Sequence, residues 1–507
     1  MIFLTWLTYS APASDWFVTP TGAGSKTGMD WNNAWAGSST FAGVRGGDTI
    51  WLAGGNYGVI SLSGVNGASG NNVNVKRVLS SDSIPTAAAG WSPAFDSLVN
   101  LNGSLNVPKN NFLTVDGRIN YGIRITLPAT GSAVAIYMGA SGNCTNVNFF
   151  NIEILGPYNT ANTSELDGFW AASSVPYNYD SCDVSNCWIH GFDTLIKVYG
   201  YNQSIIEHCK LWDSITESGP HPDVVFLYPC TNFVFRYNSV SNCNAEAIFE
   251  QYGAGNLYFY GNTFQCKNSC TLVGIGGTTV YFCNNTVQNG GTYYGIGVSA
   301  SVALYCENNI FSNCTPSLTG YSNNCYYPVN INGYNAPFGE RFSTGSAVNP
   351  FSDGLFNLKT NIGPGYARNA GVVIPNVAGQ TFNLDANGNV RGADGAWDVG
   401  AYEYTDKTVQ EPVILTLYSR PVIGVTNAIT INWTTDENAT SIVNYGNSTA
   451  YGYSVTNSNA QMTNSLNITN MMLYTGKTYF QVQSIDSLKR VNNGYLIVPP
   501  PLSLLPP

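Results

Sequence analysis

The chain has 507 residues, 44% of them hydrophobic and only 10% charged, with a formal net charge of −10. That length and apolar content suffice for a large core and more than one domain. The scarcity of basic residues excludes the cationic surface that nucleic-acid binding needs, and 53 Gly and 32 Tyr amid abundant Asn and Ser favour strands and turns over long helices.

In chain order, MIFLTWLTYSAPAS offers an apolar run from Ile2 to Leu7 and a small-residue site at Ala11-Pro12-Ala13. It reads as a signal peptide over residues 1–13, cleaved before Ser14, and predicts a secreted, extracellular or cell-surface protein. No later stretch has the roughly 18 uninterrupted apolar residues of a membrane span. Twelve cysteines, all between Cys144 and Cys325, agree with an oxidising compartment. None forms a CxxC pair and the three histidines are scattered, which argues against structural zinc.

The centre of the chain repeats. DVSNCWIHG, IIEHCKLWDS, FVFRYNSVSN, LYFYGNTFQC, VYFCNNTVQN and LYCENNIFSN align on Ile189, Leu211, Val240, Phe264, Val287 and Ile310, spaced by 22, 29, 24, 23 and 23 residues. A period of this size, built from short β-type runs without a helix-length amphipathic stretch, predicts an all-β solenoid, a parallel β-helix. Asn238, Asn262, Asn285 and Asn308 fall at one place in successive coils and predict a stacked asparagine turn. Cys187 with Cys209, and Cys283 with Cys306, are candidate disulfides between neighbouring coils about 4.8 Å apart.

After residue 404 the composition changes. ITINWTTDENATSIVNYG and LYTGKTYFQVQSID alternate apolar and polar residues as strands of a small sandwich over residues 411–497, with Trp433 as core anchor and Tyr479 near a corner. The tail over 498–507 is Pro-rich and extended.

These segments carry a resemblance. The repeats, the opening DWFVTPTGAGSKTGMDWNNAW with GGDTIWLAGGNYG, and the closing LDANGNVRGADGAWDVGAYEY resemble the secreted right-handed parallel β-helix superfamily of pectate-lyase-like proteins. The region after 404 resembles a fibronectin type III domain. The resemblance implies a β-helix over residues 14–405 and a polysaccharide, including uronate-containing ones, as partner; it leaves the reaction open.

Aligned by the repeat, the second strand of each coil begins DGFW at Asp167, DTLIK at Asp193, DVVFL at Asp223 and EAIFE at Glu246. With Thr194, Ile196, Val224, Phe226, Ala247 and Phe249 inward, alternation sends Asp193, Asp223, Glu246, Lys197 and Glu250 outward. Stacked carboxylates repel, so the column calls for a bound Ca²⁺ held by Asp193, Asp223 and Glu246, a raised pKa, or neighbouring Lys197, His190, His221 and Arg236. Insertions over 156–180 and 213–223 would wall the column, with Tyr158, Trp170, Tyr177 and Tyr179 as sugar-stacking aromatics.

The expected chemistry is a polysaccharide hydrolase or lyase. Asp223 with Asp193 or Glu246 forms an acid/base pair tuned by His221. In a lyase Lys197, Arg236 or His221 would instead take the C5 proton. Asp167, Trp170, Tyr177, Tyr179, His190, Arg236 and Glu250 would bind substrate. The competing reading is a non-catalytic, adhesive glycan-binding rod.

Overall fold

The computed structural model describes residues 12–404 and 412–498, except for 120, 128–132, 140–141, 159–165, 172–177, 216–222, 244–245, 252–254, 267–271, 276–278, 290–295, 299–302, 313–324, 328–340, 343–350, 352–355, 359–366, 413, 422–427, 448–450, 470–477 and 486–490. Two compact units divide the chain after Tyr404.

Short strands, each ended by a residue that leaves the β region, make the larger unit a coil. Phe233–Arg236 lies in a first parallel sheet, Ser239–Cys243 in a second and Ile248–Glu250 in a third, before Asn256–Tyr260 returns to the first sheet one level on. Phe235 pairs with Phe259, Val240 with Phe264 and Val225 with Ile248, all in parallel register. Repetition gives a single-stranded parallel β-helix whose interior is one continuous apolar column. Phe264 stacks on Phe235 at 6.3 Å and on Phe282 at 6.0 Å within it.

The corner between first and second sheets repeats one conformation. Asn186, His208, Tyr237, Asn284 and Asn308 have φ of 52°, 53°, 57°, 54° and 56°, and Gly261 fills the same place at 67°. This left-handed residue turns the chain sharply, and the next residue points into the coil. There a buried ladder forms: Asn262 Oδ1 accepts from Asn238 N at 2.9 Å, Asn285 Oδ1 from Asn262 N at 2.9 Å, and Asn309 Oδ1 from Asn285 N at 2.8 Å. Each amide also donates to a strand carbonyl, as Asn262 Nδ2 does to Phe235 O at 2.9 Å.

The last rung is therefore Asn309, and not Asn308 as the repeat alignment has it. Phe311, not Ile310, pairs with Val287. Asn308 is the left-handed residue, holding Val372 N on its Oδ1 at 2.9 Å.

Cys187 and Cys209 do share this column, yet both are free thiols. In-register parallel neighbours point the same way, and each Sγ is turned to a carbonyl, Cys187 to Ser185 O at 3.4 Å and Cys209 to Glu207 O at 3.2 Å. Cys283 and Cys306 are also free, and the register explains it: Cys306 pairs with Phe282 and faces the core, one residue out from Cys283. The expected disulfides are corrected on both counts.

Segments from both ends of the solenoid pack on the outer face of the first sheet. At the start Trp31, Phe17, Trp51 and Phe95 pack together, and Trp31 Nε1 donates to Pro85 O at 2.7 Å. The closing segment lies on the outer face of the first sheet, where Ile374, Phe382 and Trp397 meet Tyr258, Tyr260 and Cys283. It is pinned by Arg391, whose buried guanidinium donates to Glu403 Oε1 at 2.9 Å and to the carbonyls of Leu384, Asp398, Gly400 and Ala401.

The smaller unit is an antiparallel sheet of Ile414–Pro421, Ile429–Gly446, Tyr453–Ile468, Thr478–Ile485 and Val491–Val498. Trp433 is buried among Ile431, Val443, Phe480 and Val482, with Nε1 on Ser484 Oγ at 3.2 Å. Tyr479 is half-buried and pairs with Gly446. No helix among the described residues is long and apolar enough to cross a membrane. Residues 1–11 and 499–507 lie outside the described residues.

Candidate functional site

The third sheet carries the predicted carboxylate column, with one register change. Asp167 pairs with Thr194, and Ile196 pairs with Val225, which pairs with Ile248. Asp223 and Glu246 then occupy one level of the column, while Asp193 sits one residue earlier. Its Oδ2 accepts from Leu166 N at 3.1 Å, and its N–H donates to Leu166 O at 3.2 Å, so it fastens neighbouring coils. Asp167 is buried at the edge of the same strand.

The same one-residue slip turns other side chains round. Lys197, Phe226 and Phe249 pair with one another on the outer face, whereas Glu250 pairs with Leu227 and is fully buried on the inner side. The outward assignment of Asp193, Asp223 and Glu250 and the inward one of Phe226 and Phe249 are thus corrected. Alternation was counted from Asp193 as the equivalent of Asp223, and a period of two inverts both faces when the count is off by one.

Asp223 is strongly perturbed. It is completely shielded from solvent, and neither carboxyl oxygen has a hydrogen-bond donor at full geometry among the described residues. Burial pushes its pKa up to about 9; Glu246 adds to the rise through its charge and hydrogen bonding, and Lys197 opposes it. At neutral pH Asp223 is therefore an acid holding its proton beside the carboxyl of Glu246, which is partly solvent-accessible.

An aromatic strip runs beside this pair. On the outer face Tyr137 lies 5.2 Å from Trp170, Lys197 Nζ stands 5.7 Å over Phe226, and Phe226 lies 5.4 Å from Phe249. Tyr199 and Tyr228 stack at 4.3 Å in the next outward column. Trp170 is thus on the surface face, as a sugar platform requires. Repeat alignment missed Tyr137, Tyr199, Phe226, Tyr228 and Phe249, although alternation within DVVFLYP carries the signal once Val225 is set inward.

Other predicted site residues are not brought to this face. Tyr179 is fully buried, its hydroxyl on Met138 O at 3.0 Å, so it is core. Arg236 belongs to the first sheet, held by Glu207 at 2.7 Å and Tyr260 at 2.9 Å. His190 belongs to the second sheet, with Tyr158 Oη 2.7 Å from Nδ1 and Glu153 Oε1 3.3 Å from Nε2. His221 and Tyr177 lie outside the described residues.

Asp193, Asp223 and Glu246, expected to hold Ca²⁺, are not among the described residues whose ligand atoms converge on one point. Among the described residues, the trio whose ligand atoms converge within 4.8 Å is Asp394, Asp398 and Glu403. Those carboxylates already accept from Arg368, Arg391 and backbone N–H groups of the closing segment, including Asn369 N on Asp398 at 2.5 Å. Their chemistry is structural.

Residues 129–287 match the family described as right handed beta helix region. Among solved structures, the crystal structure of pectate lyase Pel9A aligns with a TM-score of 0.51 at 17% identity, covering 78% of this chain and 97% of that one. The complex structure of XylC with xylose covers 96% of this chain and 100% of its own at 10% identity and a TM-score of 0.36. No curated protein matches the sequence. At these identities the comparisons establish the fold, a right-handed parallel β-helix.

Proposed function

We propose that the protein is a secreted polysaccharide-degrading enzyme that holds a glycan along the outer face of the third sheet and cleaves it at Glu246. The observation that carries this reading is the Asp223 and Glu246 pair: a shielded, protonated acid one coil from a more accessible carboxylate, beside an outward aromatic strip. Strands about 4.8 Å apart bring the two carboxyl groups beside one another. Glu246 meets the substrate, and Asp223 positions it and stores the proton. Trp170, Phe226, Phe249 and the Tyr199 and Tyr228 stack offer apolar platforms to sugar rings.

Lys197, directed outward among these rings, is the base a lyase would use, so both cleavage chemistries belong to the same face. The likeness to a pectate lyase supports a glycan as ligand, and the smaller unit reads as a fibronectin type III-like docking module for a surface or glycan. The competing reading, a non-catalytic rod, draws on the complete burial of Asp223.

Turnover of neutral and uronate-containing polysaccharides decides among these. New reducing ends alone mean hydrolysis; reducing ends with the ultraviolet absorbance of unsaturated uronates mean elimination. Either activity should vanish in folded Glu246→Gln. Wild-type silence on every polymer, or full activity in that variant, overturns the proposal.

A further inference from the structure

A second outward cluster lies on a different sheet. On the second sheet Glu153, Trp188 and Lys210 are successive cross-coil partners, as are His190 and Trp212. Trp188 stacks on His190 at 4.2 Å and meets Trp212 edge-on at 5.9 Å, while Tyr121 approaches Trp188 at 6.1 Å. Trp188, Trp212 and Tyr121 are partly exposed, and Trp212 is held by its Nε1 on Ser239 Oγ at 3.2 Å.

Lys210 is exposed above all three. Its Nζ stands 5.5 Å from the Trp212 centroid, 5.7 Å from Tyr121 and 6.0 Å from Trp188. Among the described residues no carboxylate pairs with it: Arg124 takes Glu153 at 2.6 Å, and Asp213 accepts from Tyr158 Oη at 3.0 Å. An ammonium held over three rings yet open to solvent keeps donors available for an anion. Tyr121 and Lys210 come from coils three apart, yet the rings at the two ends of the platform, Tyr121 and Trp212, both lie within 5.7 Å of Nζ.

We propose that this face is a second glycan-binding site, specific for a carboxylated sugar whose ring stacks on Trp212 and Tyr121 while its carboxylate meets Lys210. The ammonium disfavours sugars with a free, protonated amino group by like-charge repulsion, and a neutral sugar leaves its donors to water. Tyr158, 45% exposed and hydrogen-bonded to His190, extends the polar rim. The site shares a ligand class with the cleavage face but none of its residues, so each can fail alone.

The test is affinity electrophoresis through gels containing a linear uronic-acid homopolymer or the same polymer fully methyl-esterified. It uses the Glu246→Gln protein so that no polymer is consumed. Lys210→Ala should weaken binding to the acidic polymer by up to about fivefold and leave the esterified one unchanged, as for loss of one exposed ionic contact. Trp212→Ala should weaken both. Unchanged unfolding midpoints certify the fold, and Lys210→Ala in the otherwise wild-type chain should keep full turnover. Absence of retardation by the acidic polymer, or equal retardation of the parent and the Lys210→Ala protein, overturns this site. Undiminished turnover in Glu246→Gln overturns only the cleavage proposal.

Discussion

Asp223→Asn replaces a buried acid by a neutral side chain of the same shape, and its effect on stability has a definite sign. Unfolded, Asp223 titrates near 3.8; folded, burial and then Glu246 hold the proton until about pH 9. A raised folded pKa means that the stability contributed by the bound proton is fully present below about pH 4 and is lost as pH climbs to 9. The amide never ionises and suffers no such loss. The variant's advantage should therefore grow through this window at up to about 1.4 kcal/mol per pH unit. The full displacement caps it at about 7 kcal/mol, and relaxation with water entry reduces that to about 2–4 kcal/mol at pH 9. Urea unfolding of both proteins at several values from pH 5 to pH 9 measures it. Asp398, pushed up to about 7 by burial and Glu403, titrates in the same window but equally in both proteins, so it cancels. Parallel stability profiles, or a variant less stable than wild type at pH 9, would refute the assignment of Asp223 as a buried acid.

Three further outcomes test the scaffold. Asn262→Ala removes an acceptor for Asn238 N and Nδ2 and a donor to Phe235 O, leaving buried groups unpaired; a loss of about 3–5 kcal/mol is expected in urea unfolding. Arg391→Met strands Glu403 and four carbonyls beneath the closing segment, and should cost about 3–5 kcal/mol, with hydrogen exchange rising first over residues 384–404. Trp433→Ala should cost about 3–5 kcal/mol in the smaller unit, while calorimetry should find the β-helix transition unmoved.

The coil was legible because its determinants are local. An asparagine, thiol or similar small polar group follows a left-handed residue at each corner, and apolar strands flank it, so the period and even the shared column of Cys187, Cys209 and Asn238 can be seen in the chain. What failed was the phase. In CENNIF two asparagines stand side by side, and choosing Asn308 over Asn309 requires knowing which one takes the positive φ. Between Asp193 and Asp223 the loop length changes, and nothing local says whether the coil re-enters at Asp193 or Thr194. Both coil entries are buried whichever is chosen: Asp193, Thr194, Leu195 and Ile196 are all buried, and so are Asp223, Val224 and Val225, which erases the alternation where it was needed.

That burial also explains why the site was only half visible. A run of carboxylates at strand starts suggests an exposed, solvated column, whereas Asp167, Asp193 and Asp223 are buried where each coil enters the sheet, and Glu246 keeps access to solvent. Charge in the sequence identified the right coils, and packing then assigned different tasks to similar side chains: Asp193 joins strands, Asp223 keeps a proton and Glu246 retains partial access to solvent. The second-sheet cluster had no comparable signal. Trp188 and Lys210 fall at equivalent places of the repeat, one residue before Ile189 and Leu211, but Tyr121 lies outside the aligned segments and joins them only because parallel register brings it to the same face. In a solenoid the composition of a face depends on register, and register depends on loops whose lengths the repeat does not fix.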